Sequence, residues 1–264
     1  MSNHINRLYC TDALTGLRAL PPASVPLTVT SPPWDDARNF GGHEFDWGKV
    51  ADELWRVTSP GGIVCWEYQD QIRDGSETAT SARQRLHFLD LGFRIYQTIY
   101  ALKWSFRRTP RRFYRQVSQV SVLSKGRPNT INLLRDRRNS TAGNFYQRHN
   151  FREVDGRYSA SFCGVIGEYG IRGDTWLYHV GGRKSSDGPY PDHPALMPKK
   201  LARDLIRAFS NPGDLVLDPC SGAATTAKMS ILTGRRFLGF EPHEPYFQIA
   251  ERRVSEALLS VKAA

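Results

Sequence analysis

Residues 214–241 constrain the fold more tightly than any other stretch of this chain. Asp214-Leu-Val-Leu-Asp218 reads as a buried strand, a short apolar run bounded by acids and a turn. Residues 219–224 form a tight loop of small residues, residues 225–233 read as a helix, and residues 236–240 as a second strand that Glu241 closes. Strand, crossover helix and parallel strand make a βαβ unit, the building block of an open α/β sheet. Asp218 and Glu241 lie 23 positions apart around a small-residue turn, at the carboxyl end where such sheets bind ligands. That layout suits a nucleoside: the loop allows close approach, and the second acid takes the ribose hydroxyls. The GxGxxG pattern of dinucleotide sites is absent.

A second loop sits at the end of another strand. Residues 26–30, Pro-Leu-Thr-Val-Thr, read as a buried strand that runs into Ser31-Pro32-Pro33-Trp34. Two consecutive prolines stop the strand, because neither donates to a ladder and each fixes φ near −65°. A hydroxyl, a carbonyl that cannot slip and a flat ring make a clamp for a planar base bearing an amino group. Taken alone, the same residues also suit a proline-rich turn whose Trp covers the core.

Other segments fill out an α/β pattern. Residues 5–10 read as a short strand, with Thr11 or Asp12 capping a brief helix. Residues 47–57 show helical spacing, Pro60-Gly61-Gly62 breaks the pattern, and residues 63–66 read as a strand. Residues 78–91 read as a helix, and residues 93–102 and 117–123 as two alternating strands. Residues 199–209 and 245–258 read as helices.

Charge is unevenly spread. Residues 101–185 hold 17 Lys and Arg against 5 Asp and Glu, a net of +12, so the remainder carries −2 of the total +10. Within that segment Arg107, Arg108, Arg111, Arg112 and Arg115 interleave with Phe106, Phe113 and Tyr114. Arginine pairs with phosphate and aromatic rings stack on bases, so this loop suits nucleic acid; a solvated charge run is the plainer reading. Residues 127–185 lack clear periodicity, and a small inserted module explains them better than a structureless loop of that length. The four cysteines and seven histidines show no ligand spacing, which argues against a zinc site and a disulfide framework. No stretch reaches 18 apolar residues and the first ten residues lack an apolar core, so a soluble cytoplasmic protein with no membrane partner is expected.

Thr30-Ser31-Pro32-Pro33-Trp34 together with Asp218-Pro219-Cys220-Ser221-Gly222-Ala223-Ala224-Thr225-Thr226 resembles the amino-group DNA methyltransferases that use S-adenosylmethionine. The resemblance covers most of the chain. It implies a Rossmann-like α/β methyltransferase sheet with helices on both faces. The sheet is circularly permuted in the β arrangement, with the catalytic loop first, then a variable target-recognition region, then the cofactor loop. The expected parts are residues 1–126 (catalytic), 127–185 (target recognition) and 186–264 (cofactor binding). Permutation places the strand near Leu8 beside the strand near Leu238.

By the same resemblance Ser31, Pro32, Pro33 and Trp34 are catalytic. Asp12, Thr30, His193, Pro194, Ala195, Asp218, Pro219, Cys220, Ser221, Gly222, Thr225 and Glu241 bind the cofactor. Ser-Pro-Pro-Trp is the form typical of cytosine-N4 enzymes; adenine-N6 methylation is the alternative, and a non-catalytic nucleic-acid binder a second. Double-stranded DNA is the expected substrate, and the family also admits a homodimer and a cognate restriction endonuclease as partners. Three departures stand out: Cys220 replaces a Phe, and Ala223 and Ala224 replace Ser or Gly and Gly. At these two positions either cofactor binding is weakened or the backbone does not need a glycine's freedom. Pro219-Cys220 also mimics the Pro-Cys of cytosine-C5 enzymes, but Cys220 lies in the cofactor loop rather than under a base.

Overall fold

The computed structural model describes residues 5–35, 42, 45–104, 111–148, 155–156, 162–179 and 196–262. In chain order the elements are β1 (Arg7–Tyr9), α1 (Ala13–Arg18), β2 (Val25–Thr30), α2 (Trp47–Val57), β3 (Thr58–Tyr68), β4 (Ile72–Arg73), β5 (Ser76–Glu77) and α3 (Thr80–Asp90). Next come β6 (Arg94–Trp104), β7 (Val117–Ser124), β8 (Arg135–Arg138), β9 (Phe145–Arg148), β10 (Phe162–Val165), β11 (Tyr169–Ile171) and β12 (Thr175–His179). The chain closes with α4 (Lys199–Phe209), β13 (Leu215–Asp218), α5 (Thr225–Leu232), β14 (Arg236–Phe240) and α6 (Glu244–Lys262).

Eight strands form the main sheet, in the order β1-β14-β13-β2-β3-β7-β6-β12. Among the described residues β7 alone runs against the rest, antiparallel to both β3 and β6. The N-terminal strand lies beside the late one, with Arg7 opposite Leu238 and Leu8 opposite Gly239. From β13 the chain moves outward to β14 on one side, and from β2 it moves to β3 on the other. The β13–β2 boundary is therefore a topological switch point, where loops diverge and leave a crevice at the carboxyl ends of the strands.

Helix α2 buries Val50, Ala51, Leu54 and Val57 against the sheet, and Asp46 caps it by accepting from the Lys49 N–H at 3.1 Å. This stripe meets Val64, Trp66, Phe88, Phe93 and Leu123 in one apolar core. Leu54, Val57 and Trp66 are fully buried, and burial of each stabilises the fold by roughly 1.5–3 kcal/mol. The Trp66 indole N–H is satisfied by Gln84 Oε1 at 3.0 Å. Pro60-Gly61-Gly62 does not break the chain into helix and separate strand. β3 runs from Thr58 and bulges there, since Val25 pairs with Thr58 but Leu27 already pairs with Ile63. Gly61, at φ 74°, supplies the left-handed residue that the bulge needs.

Contacts divide the chain into two compact units, residues 1–132 with 174–264, and residues 133–173. The second unit holds the pairs β8–β11 and β9–β10, both antiparallel. Arg137 Nε donates to the Ile171 carbonyl at 3.1 Å, and Arg172 forks onto the Asp136 carboxylate. Phe145 and Val165 face each other across the β9–β10 ladder and are both mostly exposed. β12, within the 127–185 stretch, belongs to the main sheet and pairs with β6.

Candidate active site

Two loops meet at the switch point. Thr30, the last residue of β2, donates from Oγ1 to Asp218 Oδ1 at 2.8 Å, which joins the Ser31-Pro32-Pro33-Trp34 loop to the small-residue loop after β13. Thr226 Oγ1 adds a second link, to the Val29 carbonyl at 3.3 Å.

The backbone groups of the small-residue loop are held by Asp218, Ser221 and Glu241. The Cys220 N–H donates to Asp218 Oδ1 at 3.1 Å, and Ser221 Oγ donates to the Asp218 carbonyl at 3.0 Å. Glu241 spans the loop, accepting from the Gly222 N–H at 2.9 Å and the His243 N–H at 3.0 Å. The neighbouring strand passes close: a Cβ on Gly239 would lie 2.1 Å from Ser221 Oγ, so any larger residue here displaces the Ser221 side chain. Ala224 takes the left-handed conformation, φ 56° and ψ 41°, as the cap of α5. The backbone therefore does demand at Ala224 the freedom that a glycine gives, and Ala223 avoids it. Ala224 is fully buried among Ala227, Ile231, Phe237, Ala250 and Val254, so its methyl packs where a glycine would leave a gap. From α6 the buried Arg253 guanidinium donates to the Ala223 carbonyl and, at 3.2 Å, to Thr225 Oγ1. Arg253 went unread in the sequence, although an Arg on the stripe Ile249, Ala250, Val254, Ala257 was its signal.

Two buried acids face this loop. Burial pushes the Asp218 carboxyl up to about 6, against the hydrogen bonds from Thr30 and the Cys220 N–H. Burial also raises Glu241, against the His243 and Gly222 N–H groups and with the Asp218 charge adding to it. Among the described residues neither acid has an ion-pair partner. A ligand with net positive charge and ribose hydroxyls fits that donor set. Burial, then Asp218 and Glu241, raise the Cys220 thiol well above its ordinary value, so it stays protonated and cannot serve as a nucleophile. Asp12 caps α1, accepting from the Thr15 N–H at 2.8 Å.

The other loop is held by side chains. Pro32 is buried, while Ser31, Pro33 and Trp34 are half-buried. Behind them lies Glu67, on β3 and only 1% exposed. It accepts from Lys103 Nζ at 2.7 Å and from Ser118 Oγ at 2.7 Å, and the Ser31 hydroxyl lies near enough to help hold its charge. Burial pulls the Glu67 carboxyl up, but the Lys103 charge and the Lys103, Ser118 and Ser31 hydrogen bonds pull it further down, below the usual carboxylate range. The Trp34 indole N–H donates to the Glu67 carbonyl at 3.3 Å, and Lys103 Nζ lies 4.8 Å from the Trp34 ring centre. Glu67, Lys103 and Ser118 were not anticipated from sequence. Glu67 signalled itself only as a charge inside an apolar strand, Ile63 to Tyr68.

Of the basic loop, Arg111, Arg112 and Arg115 are exposed, and Phe113 is 99% exposed between them. Arg112 donates to the Gly75 carbonyl at the tip of the β4–β5 hairpin. His193, Pro194, Ala195, Arg107 and Arg108 lie outside the described residues. Among the described residues no group of acids, histidines and cysteines could hold a metal, and no helix is long and apolar enough to cross a membrane.

Known proteins share this frame. The PvuII DNA methyltransferase (cytosine-N4-specific) superposes with a TM-score of 0.67 at 18% identity, over 96% of this chain and 90% of that one. TTHA0409 of Thermus thermophilus, solved in complex with S-adenosyl-L-methionine, gives 0.61 at 23% identity over 96% of each chain. At these identities the likeness is one of fold. In sequence, the orphan methyltransferase M.BamHII of Bacillus amyloliquefaciens is 40% identical over 240 residues, 89% of this chain and 91% of that one. The DNA methylase model N6_N4_Mtase matches residues 25–252, and the chain belongs to that family of DNA methyltransferases.

Proposed function

We propose that this DNA methyltransferase transfers a methyl group from S-adenosylmethionine to the exocyclic N4 of cytosine in a base flipped out of duplex DNA. The observation that carries the reading is the Ser31-Pro32-Pro33-Trp34 loop tied to Asp218 at the switch point and backed by the Glu67–Lys103 ion pair. S-Adenosylmethionine supplies the methyl group as a sulfonium, an electrophile strong enough for direct transfer. Asp218 and the loop Pro219, Cys220, Ser221, Gly222 hold its methionine end, with Thr30 and Thr225 supporting that loop. Glu241 takes the ribose hydroxyls, and Asp12, His193, Pro194 and Ala195 complete the cofactor site.

The amino nitrogen of cytosine is a poor nucleophile because its lone pair is delocalised into the ring. Ser31 Oγ and the Pro32 carbonyl accept its two hydrogens and turn the lone pair toward the methyl group. Pro33 keeps the carbonyl from moving, and Trp34 stacks on the extruded base. Once the N–C bond forms, the nitrogen carries one proton too many and is strongly acidic. Ser31 takes that proton while passing its own to Glu67, so a carboxylate of low basicity suffices. Arg107, Arg108, Arg111, Arg112 and Arg115 contact phosphates, and residues 127–185 contribute base contacts. Residues 1–126 orient the base and lend Asp12 and Thr30 to the cofactor site, whose other residues lie in 186–264.

Nucleoside mass spectrometry of unmethylated DNA incubated with the protein and S-adenosylmethionine tests the reading. N4-methylcytosine is the expected product. N6-methyladenine would keep the clamp but overturn the choice of base, and neither product on DNA of varied sequence would favour a non-catalytic binder.

A further inference from the structure

The buried ion pair behind the catalytic loop points to a residue outside the loop itself. We propose that Lys103 is a positioning residue for methyl transfer, one ammonium on β6 that fixes both the Glu67 carboxylate behind Ser31 and the indole of Trp34. The inference rests on the reading of Ser31 and Trp34 as the base clamp.

Three observations carry it. Lys103 Nζ lies 2.7 Å from Glu67 Oε1, and the carboxylate is sealed from water. A buried carboxylate without a cation protonates or leaves the core, so Lys103 keeps Glu67 ionised and in place. The same Nζ sits 4.8 Å from the Trp34 ring centre, within cation–π range, while the indole N–H is tied to the Glu67 carbonyl. The ring is thus held by its face and by its edge. Finally, Lys103 and Ser118 both bond Glu67 Oε1, and they belong to β6 and β7, the two strands that enter and leave the arginine-rich loop. A stabilising role alone does not account for this placement, since buried pairs are often no better for stability than apolar residues of the same size.

The groups facing Glu67 are Lys103 from β6, Ser118 from β7 and Ser31 from the loop after β2; among the described residues Lys103 is the charged one. Lys103→Met keeps the aliphatic stem and removes the charge. At saturating cofactor and DNA it is expected to lower kcat about 10²-fold, as a misplaced reacting group does, with cofactor affinity within about threefold. Without the ammonium Glu67 holds its proton to higher pH, so the acid limb of the kcat profile moves upward. Lys103→Arg restores charge and returns both kcat and the limb most of the way. In a Glu67→Gln background Lys103→Met costs well below its effect of about 10²-fold in the wild type, because the Glu67 contact is already gone and the Trp34 contact alone is lost.

Wild-type kcat with an unmoved acid limb in Lys103→Met would overturn the proposal, as would a full further loss in the Glu67→Gln background. Should Lys103→Met fail to melt cooperatively, the double variant, which buries no lone charge, decides by comparison with Glu67→Gln. Ser31→Ala assayed in parallel separates the two readings. A wild-type rate there removes the clamp itself, whereas an inactive Ser31→Ala beside a wild-type Lys103→Met removes only the role of Lys103.

Discussion

The two loops that meet at Thr30 and Asp218 are built in opposite ways. The loop after β13 presents backbone N–H and carbonyl groups that Asp218, Glu241, Ser221 and Arg253 hold in place, with small residues throughout. The loop after β2 has rigid prolines but takes its chemistry from side chains on three other strands, Glu67, Lys103 and Ser118. A backbone cradle accepts a ligand whose shape is constant, which suits a cofactor. A side-chain clamp can be tuned to one reacting atom, which suits the base being modified. The comparison also says which changes each half tolerates.

The sharpest test is to damage one half and read the other. Ser31→Ala removes the proposed acceptor for the amino hydrogens and is expected to slow single-turnover methylation about 10²-fold or more, the usual cost of one directed group at a reacting centre. Cofactor affinity, measured by calorimetry, should stay within about twofold. Equal losses in both would mean that the halves are not separate.

A smaller effect is expected from pH on the cofactor half. The Asp218 carboxyl titrates near 6 in the folded protein, above its ordinary value of 3.8. A cationic ligand favours the ionised form, so cofactor affinity should be full above pH 7 and fall as pH drops through 6. The protein alone shows the reverse linkage: the folded state takes up the Asp218 proton first, so this group's contribution to stability is larger below pH 4 and declines as pH rises through 6. In Asp218→Asn, binding titrations at pH 5 and 8 should give the same, weaker affinity.

The smallest effect belongs to Ala224. A left-handed alanine costs roughly 1–2 kcal/mol, whereas its buried methyl contributes about 0.8 kcal/mol. Ala224→Gly should therefore change stability by less than about 1 kcal/mol in thermal melts. A large destabilisation would show that the methyl, not the backbone, sets the loop.

The same contrast explains what could be read in advance. The β13–α5–β14 unit was legible because its strand, loop, helix and closing acid are contiguous, and local pattern suffices for contiguous parts. Ser31 to Trp34 was legible as a rigid loop at a strand end for the same reason. Glu67, Lys103 and Ser118 were not, because residues 36 to 87 positions from Ser31 meet it only once β3, β7 and β6 have paired. Pro60-Gly61-Gly62 misled as a breaker because a bulge and a turn use the same residues, and only the register against β2 distinguishes them. Ala224 shows the limit of pattern in another way. The sequence marks the missing glycine, but only the backbone shows that the position is left-handed all the same.

The claim on which the rest depends is that Glu67 receives the proton which Ser31 relays. Glu67→Gln is nearly isosteric, keeps an acceptor for Ser31 and cannot take up that proton. Single-turnover methylation of a duplex at saturating S-adenosylmethionine, with cofactor affinity measured alongside, is the most direct test. The expected result is a rate about 10²-fold below wild type, an acid limb that disappears from the pH profile, and cofactor affinity within about twofold. A wild-type rate with the limb intact would show that Glu67 only fills space behind the loop, and the relay would have to be abandoned.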